Sequence, residues 1–350
     1  MNASDNICIQ GNPDISGIGV RTAIYAQNLL SFAPALFALR DGKITRTELE
    51  GLETQSRTIL ITAFAILVSA IVQAFTGGIT NLHASIILNL SWMNNTNLFI
   101  YLLLYFQHRT NLTEEELREE VEEMVGAEIN RVDPILQHRW RYEAGKLCRN
   151  LVVIVGSVHL SLMAIVGIWL WSNPAGFGES NPCSLSALIS VFGIQIPLHS
   201  RGLKIWSMMV YSVIVVPMLN LAIPMAMFEG LLLCFQKLGQ RWWHDKGRHY
   251  KANTRLALGI LAIIDIVLLF DTEMTLQVNQ HHHLLSSEAQ WTFGQTLALL
   301  LLLVPLRDLV ESLLEQRAST LGKRLYNACR KGKAEIAKYV LDLGAKSSAI

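Results

Sequence analysis

The sequence predicts an all-α fold, a bundle of seven transmembrane helices with the N-terminus outside and the C-terminus in the cytosol. Three observations predict it. Of 350 residues, 51% are hydrophobic and only 16% charged, and mean hydropathy is +0.33, an apolar excess that water-soluble domains do not show. Seven apolar stretches meet or approach the length of about 20 residues that a helix needs to cross a hydrocarbon core of roughly 30 Å. The basic residues between those stretches fall almost entirely on one side. A formal charge of +1 offers no basic face to nucleic acid, and five cysteines are too few for a disulfide scaffold.

The expected spans run at about Ile18–Leu39, Thr58–Phe75, Ala84–Phe106, Leu151–Ser172, Ile205–Phe235, Leu256–Phe270 and Trp291–Leu309. The first is the most polar, with Arg21, Gln27, Asn28 and Pro34 inside it. The fifth is overlong and contains Pro217 and Pro224, and the sixth is short unless its helix continues past Asp271. No short apolar segment follows a basic start at Met1, so the first span is expected to serve as its own insertion signal. Residues 1–17 then form an extracellular segment, 18–309 the membrane domain and 310–350 a cytosolic tail.

Positively charged loops stay in the cytosol. The segments 40–57, 107–150, 236–255 and the tail from Arg307 together hold 26 of the 29 Lys and Arg residues, leaving Arg21, Arg201 and Lys204 opposite. A seven-span arrangement puts every basic segment inside. Dropping the first span keeps the sidedness from Thr58 onward but places the N-terminus inside. The membrane is expected to be the plasma membrane or an endomembrane.

The soluble pieces are two. The acidic insertion at 112–150 begins with Thr113 and Glu116 at capping-box spacing, and Leu117, Val121, Met124 and Val125 define an amphipathic surface helix. From Gly322 the chain reads GKRLYNACRKGKAEIAKYVLDLGAKSSA, which resembles one ankyrin repeat over 322–349. A lone repeat needs a neighbour to bury its faces, so a cytosolic protein partner for the tail is one expectation and packing on the rest of the chain another.

Several motifs look chemical. DGKITRTELE at Asp41–Glu50 follows the second half of a calcium loop, but Phe37 and Leu39 stand where the first ligands belong, so the segment is read as a helix end followed by a new start at Thr45 or Thr47. His281, His282 and His283 could offer nitrogen to zinc or copper. Adjacent histidines do not converge on one ion from regular structure, and they are read as a solvated loop. Intramembrane polar candidates are Arg21, His83, Asn89, Asn94, Asp265 and Asp271. In the third span Asn81, Ser85, Asn89 and Asn97 share a stripe that should face the bundle interior, with a break at Asn94–Asn97 as a further option. Asp265 lies ten residues past Arg255, near mid-membrane, and an ion pair of Arg21 with Asp265 or Asp271 is expected. Cys8 and Cys183 are the two thiols placed outside, where an oxidising compartment favours a disulfide between them. Signatures of phosphate, dinucleotide, acyl-transfer and metalloprotease sites are absent from the sequence, so neither an enzyme nor a cofactor is implied.

GNPDISGIGVRTAIYAQNLL at Gly11–Leu30, IPLHSRGLKIWSMMVYS at Ile196–Ser212, and AIIDIVLLFDTEMTL with WTFGQTLALLLLLVPLRD within Ala262–Asp308 together resemble a group of uncharacterised fungal multi-pass membrane proteins. The resemblance implies a multi-pass helical membrane fold and no particular activity. Three functional classes fit: a heptahelical receptor or sensor with an interaction tail, an ion channel or transporter with a polar path near spans three, five and six, and a non-signalling scaffold. Topology favours the first, without naming a ligand.

Overall fold

A computed structural model describes residues 9–38, 44–112, 116–119, 139–179, 186–227, 249–282 and 290–307, with a few isolated residues between and beyond. The chain is mainly helical: α1 (Pro13–Ser16), α2 (Ile18–Ala38), α3 (Arg46–Thr76), α4 (Asn81–Asn111), α5 (Arg139–Arg149), α6 (Leu151–Ser172), α7 (Arg201–Ile214), α8 (Leu219–Met227), α9 (His249–His281) and α10 (Phe293–Leu301). A hairpin of β1 (Leu188–Val191) and β2 (Ile194–Pro197) lies between α6 and α7.

Helix ends follow local chemistry. Thr45 starts α3 with a capping box, its hydroxyl accepting from the Glu48 N–H while the Glu48 carboxylate accepts from the Thr45 N–H. Gly77, at φ 72°, ends that helix in the left-handed conformation. Thr80 caps α4, Thr292 caps α10, and the Asn150 side chain accepts from the N–H groups of Val152 and Val153 to open α6. The fourth expected span coincides with α6, and the sixth helix does continue past Asp271, to His281.

α4 is the axis of the bundle. It is buried on every side and packs against α2, α3, α6 and α9. Among its neighbours α3 also packs on α6, α6 on α7, and α2 on α10. Three helical segments, Arg46–Thr76, Leu151–Ser172 and Phe293–Glu311, are long and apolar enough to cross a membrane. The fifth expected span is not one helix. α7 and α8 pass that test only as a pair, bent by 110° at a break that contains Pro217, whose ring denies the helix an N–H and crowds the preceding turn. Met218 follows at φ 68°.

One end of the bundle is tightly tied. The Asn12 amide donates to Gln73 Oε1 (2.8 Å) and the Gly78 carbonyl, Asn81 donates to the Pro174 carbonyl, and the Lys204 ammonium donates to the Ser172 carbonyl. Gln295, fully buried on α10, accepts from the Gly19 N–H at 2.8 Å and donates to the Gln290 carbonyl. A Cβ on Gly17 or Gly19 would collide with that glutamine, so only glycine allows α2 and α10 to approach this closely. The stretches GNPDISGIGV and WTFGQ thus meet in space. The basic end holds a bidentate pair, Arg109 Nε to Glu143 Oε2 at 2.7 Å and Nη2 to Oε1 at 2.5 Å. The ankyrin-like tail at 322–349, most of the acidic insertion, and Asp41 to Lys43 lie outside the described residues.

Candidate functional site

Four successive polar residues, Asn94, Asn95, Thr96 and Asn97, stand mid-way along α4. Successive helix positions turn by about 100°, so four in a row address every side of the helix. On a surface helix that would waste polarity; on an axis helix each finds a different neighbour. Asn94 Oδ1 accepts from the Asn28 amide of α2 at 3.0 Å, and Asn97 donates to Asn28 Oδ1 at 2.6 Å. Asn95 Oδ1 stands 3.0 Å from Nδ1 of His159 on α6, and Thr96 Oγ1 is 2.9 Å from Asp265 Oδ2 on α9. The helix runs unbroken through these residues, so the break considered at Asn94–Asn97 does not occur.

Asp265 is 2% exposed, and its Oδ1, like Oδ1 of Asn97, has no hydrogen-bond partner among the described residues. The Thr96 hydroxyl carries one proton and has two acceptors within reach, the Met93 carbonyl at 2.6 Å and Asp265 Oδ2. If the proton goes to the nearer carbonyl, the carboxyl group must hold a proton itself or be neutralised by a cation, because a bare carboxylate with no donor is prohibitively costly at this burial.

Nearer the tied end, Arg21 ion-pairs with Glu273 of α9, and its Nε donates to the Ser16 carbonyl at 2.8 Å. Tyr25 donates to the same Glu273 oxygen at 2.8 Å. This corrects the expected pairing: Arg21 meets neither Asp265 nor Asp271. Two residues apart on a helix are about 200° apart in direction, so Glu273 faces α2 while Asp271 faces the hairpin. Along α2 Asn28 lies seven residues, about 10 Å, below Arg21; along α9 Asp265 lies eight residues, about 12 Å, below Glu273. The seam of α2, α4 and α9 therefore carries an ion pair above one polar layer.

Asp271 holds the hairpin. Its Oδ1 accepts from the Ser190 hydroxyl (2.8 Å) and the Gly193 N–H (2.8 Å), and its Oδ2 from the Phe192 N–H (2.7 Å). One and two turns along the same face, Thr275 Oγ1 accepts from the Ser190 N–H at 2.9 Å, and the Asn279 side chain both accepts from the N–H and donates to the carbonyl of Leu188. Three side chains at i, i+4 and i+8 thus replace the strand that β1 lacks on its open edge. A third cluster pins the helix break: Ser157 accepts from the Met218 N–H at 2.7 Å and donates to Asn220, which donates to Ser161.

Of the other candidates, His83 is buried with Nδ1 2.8 Å from Thr80 Oγ1, at the start of α4 and apart from the polar layer. Asn89 is half-buried and joins none of these clusters. His281 and His282 are exposed with their rings in edge contact, and His283 lies outside the described residues, as do Cys8 and Cys183. Among the described residues no group of three or more His, Cys, Asp or Glu could hold a metal ion. Glu273, Thr275 and Asn279 were missed by sequence reasoning, although the spacing 271, 275, 279 past an apolar stretch was a readable signal. The chain matches no protein-family model, no curated protein and no solved structure.

Proposed function

We propose that this chain is a seven-span membrane protein, N-terminus outside and C-terminus cytosolic, of the channel or transporter class, and that the seam of α2, α4 and α9 binds a small cation or proton at Asp265. The observation that carries the reading is the Asp265 carboxyl group: it is buried mid-way along the seam, supported by one shared hydroxyl proton, and has its second oxygen without a partner among the described residues. Buried ionisable groups in membrane helices mark ion and proton pathways. A helix broken at a polar cluster, as between α7 and α8, is the kind of irregularity that transport proteins use inside the bilayer.

The span count rests on more than the three helices of sufficient length and apolarity. α2, α4 and α9 have 21, 31 and 33 residues, and polar residues that dilute their hydropathy include the inward-facing members of the seam. The face of α9 turned away from the protein carries Ile263, Ile266 and Phe270, which are 62%, 58% and 51% exposed. Apolar outside and polar inside is the distribution a lipid solvent selects.

A receptor or sensor is the second reading, favoured by one observation: α9 is a single helix carrying both the hairpin-binding ladder and Asp265, so a change at the hairpin is mechanically linked to the polar layer. Liposomes containing the purified chain, loaded with pH- and sodium-sensitive dyes, separate the two. The channel or transporter reading expects flux above protein-free liposomes and a loss of about tenfold or more in Asp265→Asn, whose side chain cannot exchange a proton or neutralise a cation. Flux indistinguishable from empty liposomes would refute it and leave the sensor.

A further inference from the structure

The turn of the hairpin is apolar, exposed and set low in the structure. Phe192 and Ile194 are 78% and 65% exposed, and Gly193 lies against the half-exposed Phe270. Phe192 and Gly193 have φ of 52° and 76°, the left-handed pair of a two-residue hairpin loop in which asparagine and glycine are the ordinary choices. A phenylalanine there is disfavoured by the backbone and hydrophobically wasteful in water.

Its level can be read along the helices. Phe293 stands two residues above Gln295; Gln295 bonds Gly19; Arg21, two residues below Gly19, meets Glu273; and Asp271, which holds the turn, is two residues below that. At 1.5 Å per residue the turn is roughly 9 Å beneath Phe293. Around this end of the bundle Phe75, Trp206, Trp291 and Phe293 are all more than half exposed, the arrangement of an aromatic belt at a lipid–water interface. The turn is thus on the hydrocarbon side of Phe293 and adjoins the exposed Ile263, Ile266 and Phe270 stripe of α9.

We propose that the β1–β2 turn is inserted among the phospholipid acyl chains of the leaflet on this side, with Phe192 and Ile194 as the inserted side chains; the inference rests on the membrane reading above. Backbone at that depth must have its polar groups satisfied by protein. Asp271 takes both turn N–H groups, and Thr275 and Asn279 take the open edge of β1. On β2 the outward positions are those of Gln195 and Pro197; proline has no N–H to leave bare and its carbonyl accepts from the Ser200 N–H at 2.9 Å, so the Gln195 backbone is the one pair of outward strand groups on β2 without a partner among the described residues. The hydrogen-bond ladder is what allows a non-helical segment to sit in lipid, and the apolar turn is what draws it there.

Site-directed spin labelling of the full chain in phosphatidylcholine liposomes tests this. The five cysteines are replaced by serine, and single cysteines are placed at Phe192, Ile194, Ile266 and His282. Collision with dissolved oxygen should exceed collision with a water-soluble nickel chelate by about tenfold at 192 and 194, as at 266, with the reverse at 282. A label at 192 as open to nickel as that at 282, with 266 still lipid-exposed, overturns the insertion alone. Labels at 192 and 194 shielded from both reagents mean a protein occupant and overturn it too, while nickel access at 266 overturns the membrane reading beneath it. The unmodified protein gives a check free of folding effects: a diazirine on the phospholipid acyl chain should label the peptide containing Phe192 and Ile194, and failure to label it while α9 is labelled counts against the proposal.

Discussion

Asp271→Ala should release the hairpin while leaving the bundle folded. The substitution removes three hydrogen bonds at 2.7–2.8 Å, two of them from backbone N–H groups of the turn. A hydrogen bond to a charged group contributes about 1.5–3 kcal/mol, and a buried N–H left without an acceptor costs about 1–3 kcal/mol. Some of this is recovered by local relaxation, so a local destabilisation on the order of 4 kcal/mol is expected. A two-stranded hairpin is marginal by itself, so nothing intrinsic to β1 and β2 absorbs a loss of that size. Since 1.4 kcal/mol is tenfold in an equilibrium constant, amide exchange at 188–193 should accelerate by roughly a thousandfold. Asp271→Asn keeps one acceptor oxygen and loses the bond to the Phe192 N–H, so about 2 kcal/mol and roughly thirtyfold are expected. Hydrogen–deuterium exchange of the protein in nanodiscs, resolved by mass spectrometry, reads this directly, with peptides from α4 as the internal control. Unchanged protection at 188–193 in Asp271→Ala would sink the reasoning, and so would equal loss in α4, which would make Asp271 a determinant of the whole fold.

The ion pair should respond asymmetrically, because the Arg21 side chain is 10% exposed and that of Glu273 34%. Glu273→Leu strands a buried guanidinium and should cost about 2 kcal/mol, whereas Arg21→Met leaves a less buried carboxylate that still accepts from the Tyr25 hydroxyl and should cost about 1 kcal/mol; thermal unfolding in detergent that ranks them the other way contradicts the geometry. Gly19→Ala should lower the yield of folded protein, since its Cβ meets Gln295, while Gly51→Ala, with nothing within 4 Å, should be neutral or stabilise by about 1 kcal/mol through helix propensity; size-exclusion profiles and melts compare the two. A tag at Met1 should be reached by antibody on intact cells and a tag after Ile350 only after permeabilisation, and the same answer from both tags would rule out the seven-span arrangement.

Much of the helical layout was legible because local chemistry decides it. The capping box at Thr45, the uninterrupted apolar run of Leu151–Ser172 and the prolines at 217 and 224 are signals within a few residues of one another. The hairpin was not legible in that way. Leu188–Pro197 is a short apolar run that reads equally as loop or buried turn, and only the Phe192–Gly193 pair between β-branched residues hints at two strands. The polar partners were half legible: that Asn94–Asn97 and Asp265 would face the interior follows from the cost of polar groups in lipid, but which meets which depends on helix rotation. Asp271 and Glu273 show the difficulty, since they are two residues apart and serve opposite neighbours. Periodicity separates 271 from 273 by about 200° and keeps 271, 275 and 279 within about 80°, but it sets 265 only about 40° from 279, so rotation and not spacing decides which neighbour Asp265 meets.

α4 raises the question of how so polar a helix enters a bilayer, on the seven-span reading. Asn94, Asn95, Thr96 and Asn97 cannot be satisfied by their own backbone alone, and each amide facing hydrocarbon would cost several kcal/mol. In the folded chain the partners come from both directions in sequence: Asn28 precedes α4, while His159 and Asp265 follow it by 64 and 169 residues. The helix therefore cannot reach its final environment when it is made. Its partners become available in chain order, Asn28 first, His159 next and Asp265 last, so the bond to Asp265 is the last that synthesis makes possible. Asp265 differs from the other polar residues of the layer in one respect: it brings the only carboxyl group among the described side chains there, and that group's second oxygen has no partner among the described residues. If the residue served only to satisfy Thr96, an asparagine would do so at no cost in charge, and Asp265→Asn would fold at least as well as wild type. Equal folding with lost flux would then separate what the carboxylate does from what the fold requires.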